Sequence, residues 1–307
     1  MSGRGWVLFA LMGLLWGVPY LMIKVAVEGV SVPVLVFVRT AIGAAVLLPL
    51  ALRAGRPAWL RERWRPLAAF AALEIIVPWG LLSDAERHLT SSMTGLLIAA
   101  SPILAVLVGR LTGDAERLGA ARWAGLAVGI VGVAVLAAPA LSGGSPWAIV
   151  EVLLVAACYA TAPIIAARRL ADVPALPMTA ICLGGAALVY APPAVLTWPD
   201  AVPDGPVLAA LAGLGVVCTA VAFLVFFALI REVGPSRALV FTYVNPAVAV
   251  TAGVVVLGEP LTASILVSFA LILAGSVLAT APRSAMRPGA ATAAPGASPG
   301  SPSRRAG

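Results

Sequence analysis

Ten runs of mostly apolar residues alternate with short polar stretches along the chain, at 5–26, 33–52, 66–82, 91–111, 119–138, 146–167, 175–197, 206–230, 236–257 and 262–281. A helix rises about 1.5 Å per residue, so about 20 apolar residues cross the hydrocarbon core of a bilayer. Without water, only helices and closed barrels satisfy their own backbone groups there. Each run therefore predicts a spanning helix. The third is the weakest, being short and carrying Glu74 and Pro78, and the fifth is rich in glycine but apolar throughout.

The pattern repeats. Pro19, Pro33, Pro49 and Pro102 return 144 residues later as Pro163, Pro177, Pro193 and Pro246, and Lys24 maps to Arg168. After a slip of one residue, Glu116, Gly132 and Pro139 map to Glu259, Gly275 and Pro282. Internal repeats decide a fold before other signals do. Each copy holds five spans, an odd number, so the second enters the membrane with opposite polarity. The predicted fold is an all-α polytopic membrane protein of ten transmembrane helices in two inverted five-helix repeats, 5–138 and 146–281. Inverted repeats suit alternating access, with a site near the midplane between the halves. Matched proline-interrupted spans point to that site: Pro19 and Pro163 are expected to break spans 1 and 6, and Pro102 and Pro246 spans 4 and 9, as hinges or cavity walls.

Composition agrees: 61% of residues are hydrophobic and 11% charged, with a mean hydropathy of +1.04. An ordinary soluble domain is about half apolar and a quarter charged. The net charge of +7 lies in short loops, so it reports topology and not nucleic-acid binding. With the N-terminus in the cytoplasm, 17 basic residues fall inside, leaving only Lys24, Arg39 and Arg87. The external segments carry Glu28, Asp84, Glu86, Asp200, Asp204 and Glu259. The positive-inside rule thus puts both termini in the cytoplasm, and the expected location is a bacterial inner membrane. The first run follows Arg4 without a clear cleavage site and reads as a signal anchor. Residues 283–307, Ala/Pro/Gly/Ser-rich with four arginines, read as a disordered cytoplasmic tail. Cys158, Cys182 and Cys218 lack a C-x-x-C spacing and His88 is the single histidine, so no metal, disulfide frame or cofactor is called for.

The order Trp16-Gly17, Pro19, Tyr20, Lys24, Pro33 and Arg39 resembles the opening of EamA-type proteins in the drug/metabolite transporter superfamily. So does Ser101-Pro102, followed by Gly113, Glu116 and the glycine-spaced Gly125, Gly129 and Gly132. The second copy is closer still, with Thr242, Tyr243, Asn245-Pro246, then Gly258-Glu259-Pro260 and Gly275. The resemblance covers 6–281. It implies a ten-helix inverted-repeat carrier, commonly an exporter of amino acids or other small metabolites. One departure is Cys158-Tyr159-Ala160 near the place of Trp16-Gly17, which makes the halves inequivalent in binding.

Several residues are candidates for the transport path. Lys24, the sole lysine, either snorkels to the outer headgroups or serves as countercharge to a carboxylate, with Glu28 or Glu74 as alternative partners. Arg39 either snorkels, joins a structural ion pair or lines the path. Glu74, between Leu73 and Ile75 in mid-span, must face a cavity or partner or take up a proton, because an exposed charge there costs roughly 3 kcal/mol. Trp16, Tyr20, Trp79, Tyr159 and Tyr243 suit either packing or a stacking cavity wall. Asn245 pairs an amide with the carbonyl freed by Pro246. Glu116, Glu151 and Glu259 read as caps or interfacial groups.

These features predict a secondary transporter of small molecules, with protons as a candidate coupling ion. No phosphate-binding loop of the ATPase type is present. The alternative is an intramembrane enzyme acting on lipid or peptide, which needs a nucleophile–base or metal cluster that the spans lack. Reporter fusions at residues 145 and 285 are expected to lie on opposite sides of the membrane. Finding both on one side overturns the inverted arrangement.

Overall fold

The computed structural model describes residues 1–280 apart from 54, 56, 58, 112–118 and 144. The tail at 283–307 and the segment containing Gly113 and Glu116 lie outside the described residues. Among the described residues, ten helices long and apolar enough to cross a membrane follow one another: α1 (Gly3–Ala26), α2 (Val32–Arg53), α3 (Leu60–Ala85), α4 (Ser91–Arg110), α5 (Ala120–Pro139), α6 (Pro146–Arg169), α7 (Ala175–Leu196), α8 (Gly205–Val233), α9 (Leu239–Leu257) and α10 (Ala263–Thr280). The third is longer than expected. Its first turns, from Leu60, carry Arg61 and Arg65 on an exposed face, with Arg63 half-buried and paired with Asp172, while Leu67 and Ala71 are buried, so charge alone had hidden a helical start.

Packing obeys an exchange rule. The self-equivalent pairs α2·α7, α4·α9 and α5·α10 each meet. Three further sets of contacts between the halves come in swapped couples, α1·α8 with α3·α6, α1·α9 with α4·α6, and α2·α8 with α3·α7, whereas the contact of α4 with α10 has no comparable counterpart between α5 and α9. Such couples are what a two-fold relation between the halves requires. Because each half crosses five times, the axis lies in the membrane plane. Outward faces carry large apolar groups, as at Leu188, Val195 and Val255, which suits contact with lipid.

Small residues set the closest approach, as is usual between membrane helices. A Cβ on Gly275 of α10 would stand 2.5 Å from the Gly129 backbone of α5 and 2.8 Å from the Gly125 carbonyl. Gly132, the repeat-mate of Gly275, would meet the Ile272 backbone at 2.9 Å. These helices touch backbone to backbone.

Three of the four matched prolines mark interruptions. α1 breaks between Gly17 and Pro19, α4 between Ile98 and Ser101, and α9 passes from a tight 3-10 stretch to α-helix at Asn245-Pro246. The carbonyls left at the α4 break are met within the bundle. Ser101 Oγ donates to Ile98 O (2.6 Å) and Ser276 Oγ to Ala99 O (3.0 Å). Pro163 differs: α6 runs unbroken from Pro146 to Arg169. One missing N–H and one lost bond are insufficient to stop a helix whose flanking residues, Thr161, Ala162 and Ile164, stay in register.

Two interruptions were not foreseen. α3 and α8 each contain a π-helical stretch, Ala72–Ile76 and Gly213–Val221, at corresponding points of the repeats. Val77 N–H bonds Ala72 O, and Ala222 N–H reaches Val217 O, both across five residues. Wide turns of this kind free carbonyls and frequently sit at functional sites. Tyr190 Oη of α7 donates to Ile76 O (2.8 Å) in one copy, and Thr219 Oγ1 to Leu214 O (2.8 Å) in the other.

Replacing Gly275 by valine is expected to destabilise the bundle by about 1–3 kcal/mol through overpacking. A lowered thermal unfolding temperature in detergent would report it. Gly185→Val, at a site with nothing within 4 Å of the new Cβ, serves as the control and should leave that temperature unchanged.

Candidate functional site

Arg39 occupies the heart of the bundle. It lies about two turns into α2, and it is 6% exposed, so it neither snorkels nor reaches bulk water. Its Nε–H donates to Thr219 Oγ1 in the π-stretch of α8 (3.1 Å), and its guanidinium carbon lies 3.7 Å from the centroid of Trp79 of α3. Thr219 can accept because its own proton goes to Leu214 O. Among the described residues no carboxylate pairs with Arg39, since the ion pairs are Arg4–Glu232, Arg63–Asp172 and Arg87–Asp84. A buried charge without a counterion is costly. The aromatic face offsets part of that cost, about 0.5–2 kcal/mol. Of the five guanidinium N–H groups, only the one on Nε has a protein acceptor among the described residues.

Tyr20 and Trp79, 8% and 7% exposed, belong to the same buried cluster, and Tyr159 of α6 packs against it. Tyr159 lies within electrostatic reach of Glu74, Tyr20 and Arg39. Cys218, next to Thr219, lies within electrostatic reach of Arg39, and its thiol donates to Met22 Sδ (3.8 Å). Glu74 sits inside the π-stretch of α3, half-buried, without a hydrogen-bond partner among the described residues and near Cys158 and Cys182. The repeat offset relates Glu74 to Cys218 and Arg39 to Leu183. The framework is duplicated, whereas the acid and the base are single.

Other candidates lie elsewhere. Trp16 is enclosed by Phe223, Phe226 and Phe241, with centroids 5.6, 5.0 and 5.4 Å away, in a packed aromatic cluster of α1, α8 and α9. Tyr243 Oη hydrogen-bonds Thr280 Oγ1 (2.8 Å) between α9 and α10. Asn245 is at the α9 break, where its carbonyl comes near Gly17, and its side-chain Oδ1 is buried without a partner.

Lys24 pairs with neither Glu28 nor Glu74. Its Nζ donates to the carbonyls of Glu86 (2.7 Å) and Leu89 (2.9 Å), because the turn after α3 folds over the end of α1. Across the same end, Glu259 from the α9–α10 connection caps α4. It accepts from Ser91 N (2.7 Å), from Ser92 N (3.0 Å) and from Ser92 Oγ, while Thr90 Oγ1 takes Met93 N. A carboxylate on a helix N-terminus meets orphan N–H groups and the positive end of the dipole. Gly253 allows the approach, since a Cβ there would collide with Glu259 Oε2. Sequence reasoning anticipated a cap at Glu259 but not its helix, and it passed over Thr219, Cys218 and Glu86. The polar pair Cys218-Thr219 inside an apolar run was the one available signal for the first two.

Two open cavities lie apart from Arg39. One of about 570 Å³ opens at the arginine-rich end, among Trp59, Pro177, Leu224, Phe227 and Arg231. The other, of about 450 Å³, lies between α2 and α8 near Trp198. The acidic end, carrying Glu28, Glu86, Asp200 and Glu259, is the one latched by Lys24 and Glu259.

The EamA-like transporter family model matches residues 3–138 and 146–281, the two five-helix halves. The chain belongs to the EamA-like transporter family. It is a multi-pass membrane transporter and not an enzyme. It is similar to the uncharacterized inner membrane transporter YedA of Escherichia coli (strain K12), 27% identical over 278 residues that cover 89% of each chain. It is also similar to the uncharacterized transporter YvbV of Bacillus subtilis (strain 168), 26% identical over 273 residues covering 87% of this chain and 88% of that one. A crystal structure with a TM-score of 0.64 and 23% identity covers 91% of this transporter and 97% of its own chain, and so shares its fold.

Proposed function

We propose that this transporter is a secondary carrier working by alternating access, which exports amino acids or related small metabolites and binds their anionic group at Arg39. The supporting observation is the buried guanidinium itself, stacked on Trp79 and fixed by Thr219, with most of its donors unused and no protein carboxylate beside it. Arg presents a planar fork suited to a carboxylate, and an arriving anion would supply the missing counterion. Tyr20 and Tyr159, within electrostatic reach of Arg39, each offer an apolar face and one hydroxyl. The location also fits, because Arg39 contacts the π-stretch of the opposite half. Exchange of conformations between the halves would remake that contact. Pro19, Pro102 and Pro246, at the three interrupted spans, are the proposed hinge points.

The 17-to-3 division of basic residues supports cytoplasmic termini, and likeness to an inner membrane transporter supports a bacterial inner membrane. Glu74 is the proposed coupling group, a half-buried carboxyl on a wide turn near Tyr159.

A metabolite-wide comparison of cells with and without the protein would identify the exported pool. In proteoliposomes loaded with that solute, Arg39→Gln is expected to reduce transport at least about tenfold, and Arg39→Lys to restore little of it, since lysine lacks the stacking plane. Wild-type rates in Arg39→Gln would overturn the assignment. For Glu74→Gln, the expected result is a flattened pH profile of transport with the solute's affinity retained; an unchanged profile removes Glu74 as the proton carrier.

A further inference from the structure

The carboxyl of Glu86 plays no part in the proposed transport path, yet it is an acid buried within the fold. It follows the last residue of α3 at the acidic end. It is 0% exposed, and among the described residues neither carboxyl oxygen has a hydrogen-bond partner. The nearby cations are engaged otherwise. Lys24 of α1 donates to the backbone carbonyls of Glu86 and Leu89, and Arg39 of α2 is bound to Thr219 and Trp79. Tyr20 of α1 also faces it. Glu259, from the α9–α10 connection, brings a second carboxylate toward it. On its own segment, Asp84 and Arg87 pair with each other at 3.3 Å and His88 follows. Glu151 of α6 faces Asp84. Ser91 Oγ of α4, also buried, has no partner. An ionised carboxylate with no donor and an acidic neighbour does not belong in such a place; a neutral carboxyl does.

We propose that Glu86 is a proton-binding site, and that the acidic end of the transporter closes with a proton on this carboxyl and opens when the proton leaves. The inference rests on the alternating-access reading and is independent of Glu74. In the closed form described here, burial pushes the Glu86 carboxyl well above the usual carboxylate range; Lys24 and Arg39 pull it back and Glu259 adds to the rise. Opening lifts the 86–90 turn from α1 and from the α9–α10 connection. Water then reaches Glu86, its proton passes to solvent, and Lys24, released from the two carbonyls, becomes free to pair with the carboxylate. The sign follows. Closure raises the affinity for the proton, so acid favours the closed end and opening is favoured as pH rises.

The test uses the full chain in detergent, with Cys158, Cys182 and Cys218 replaced by alanine and Ser91→Cys as a buried reporter. A polar maleimide labels it across a pH series, and rates are divided by those of an exposed Glu28→Cys reporter to remove the thiol's own pH dependence. The normalised rate is expected to rise about tenfold between about pH 5.5 and about pH 8. Glu86→Gln should hold it low throughout, and Glu86→Asp should keep the rise with a displaced midpoint. Glu259→Gln should retain the rise. A flat profile with Glu86 intact overturns the proposal, as does a rise that survives Glu86→Gln or vanishes only in Glu259→Gln. Because the readout is accessibility, it stands apart from the Arg39 transport assay: a pH-dependent opening abolished by Glu86→Gln supports the site whatever Arg39→Gln does to flux.

Discussion

Hydrocarbon offers no hydrogen bonds, and this one constraint organises the molecule. It makes every crossing a helix, and it obliges every defect in a helix to be repaired by a neighbour. The repairs are specific. Ser101 and Ser276 take the carbonyls exposed where α4 breaks, Tyr190 takes one beside the π-stretch of α3, and Thr219 closes the wide turn of α8 with its own hydroxyl. Thr219 then has an acceptor lone pair left, and that lone pair holds Arg39. The candidate site is thus continuous with the way the bundle disposes of its own backbone irregularities.

Duplication explains the scaffold but not its chemistry. Exchange of the halves carries α2 into α7 and α3 into α8, and it carries the wide turn of one copy onto that of the other. It does not carry Arg39 onto a base or Glu74 onto an acid, because the equivalent positions are Leu183 and Cys218. Two conformations built by swapping halves are therefore geometrically alike and electrostatically different. On the proposed alternating-access reading, a solute would meet the guanidinium through contacts with α8 in one form and through altered contacts in the other, and the two forms would differ in affinity for it. Differential affinity of this kind is what a ligand needs to bias a conformational equilibrium.

Much of the architecture was legible in the chain because hydropathy and proline spacing act locally. The ten spans, the repeat and three of the four breaks follow from residues whose effect does not depend on neighbours. Pro163 misled because a helix tolerates one lost bond. The start of α3 was missed because its first turns are amphipathic, and an arginine-rich face reads as loop. Site residues divided along similar lines. Arg39, Tyr20, Trp79 and Tyr159 stood out as polar or aromatic groups in apolar runs, and the fold gathers them. Trp16 and Tyr243 stood out equally and were packed elsewhere, a difference set by helix rotation that no spacing encodes. Lys24 bonds carbonyls 62 and 65 residues away, and backbone acceptors leave no mark in a sequence.

The glycine seam between α5 and α10 has a mechanical meaning. Side chains form the compliant layer between most helices, since they can change rotamer while the axes slide. At Gly129 and Gly275 that layer is missing, so displacement of either rod would drive peptide groups into each other. The two rods form a single strut, one from each half, and in the proposed alternation of the halves the remaining eight would turn around it.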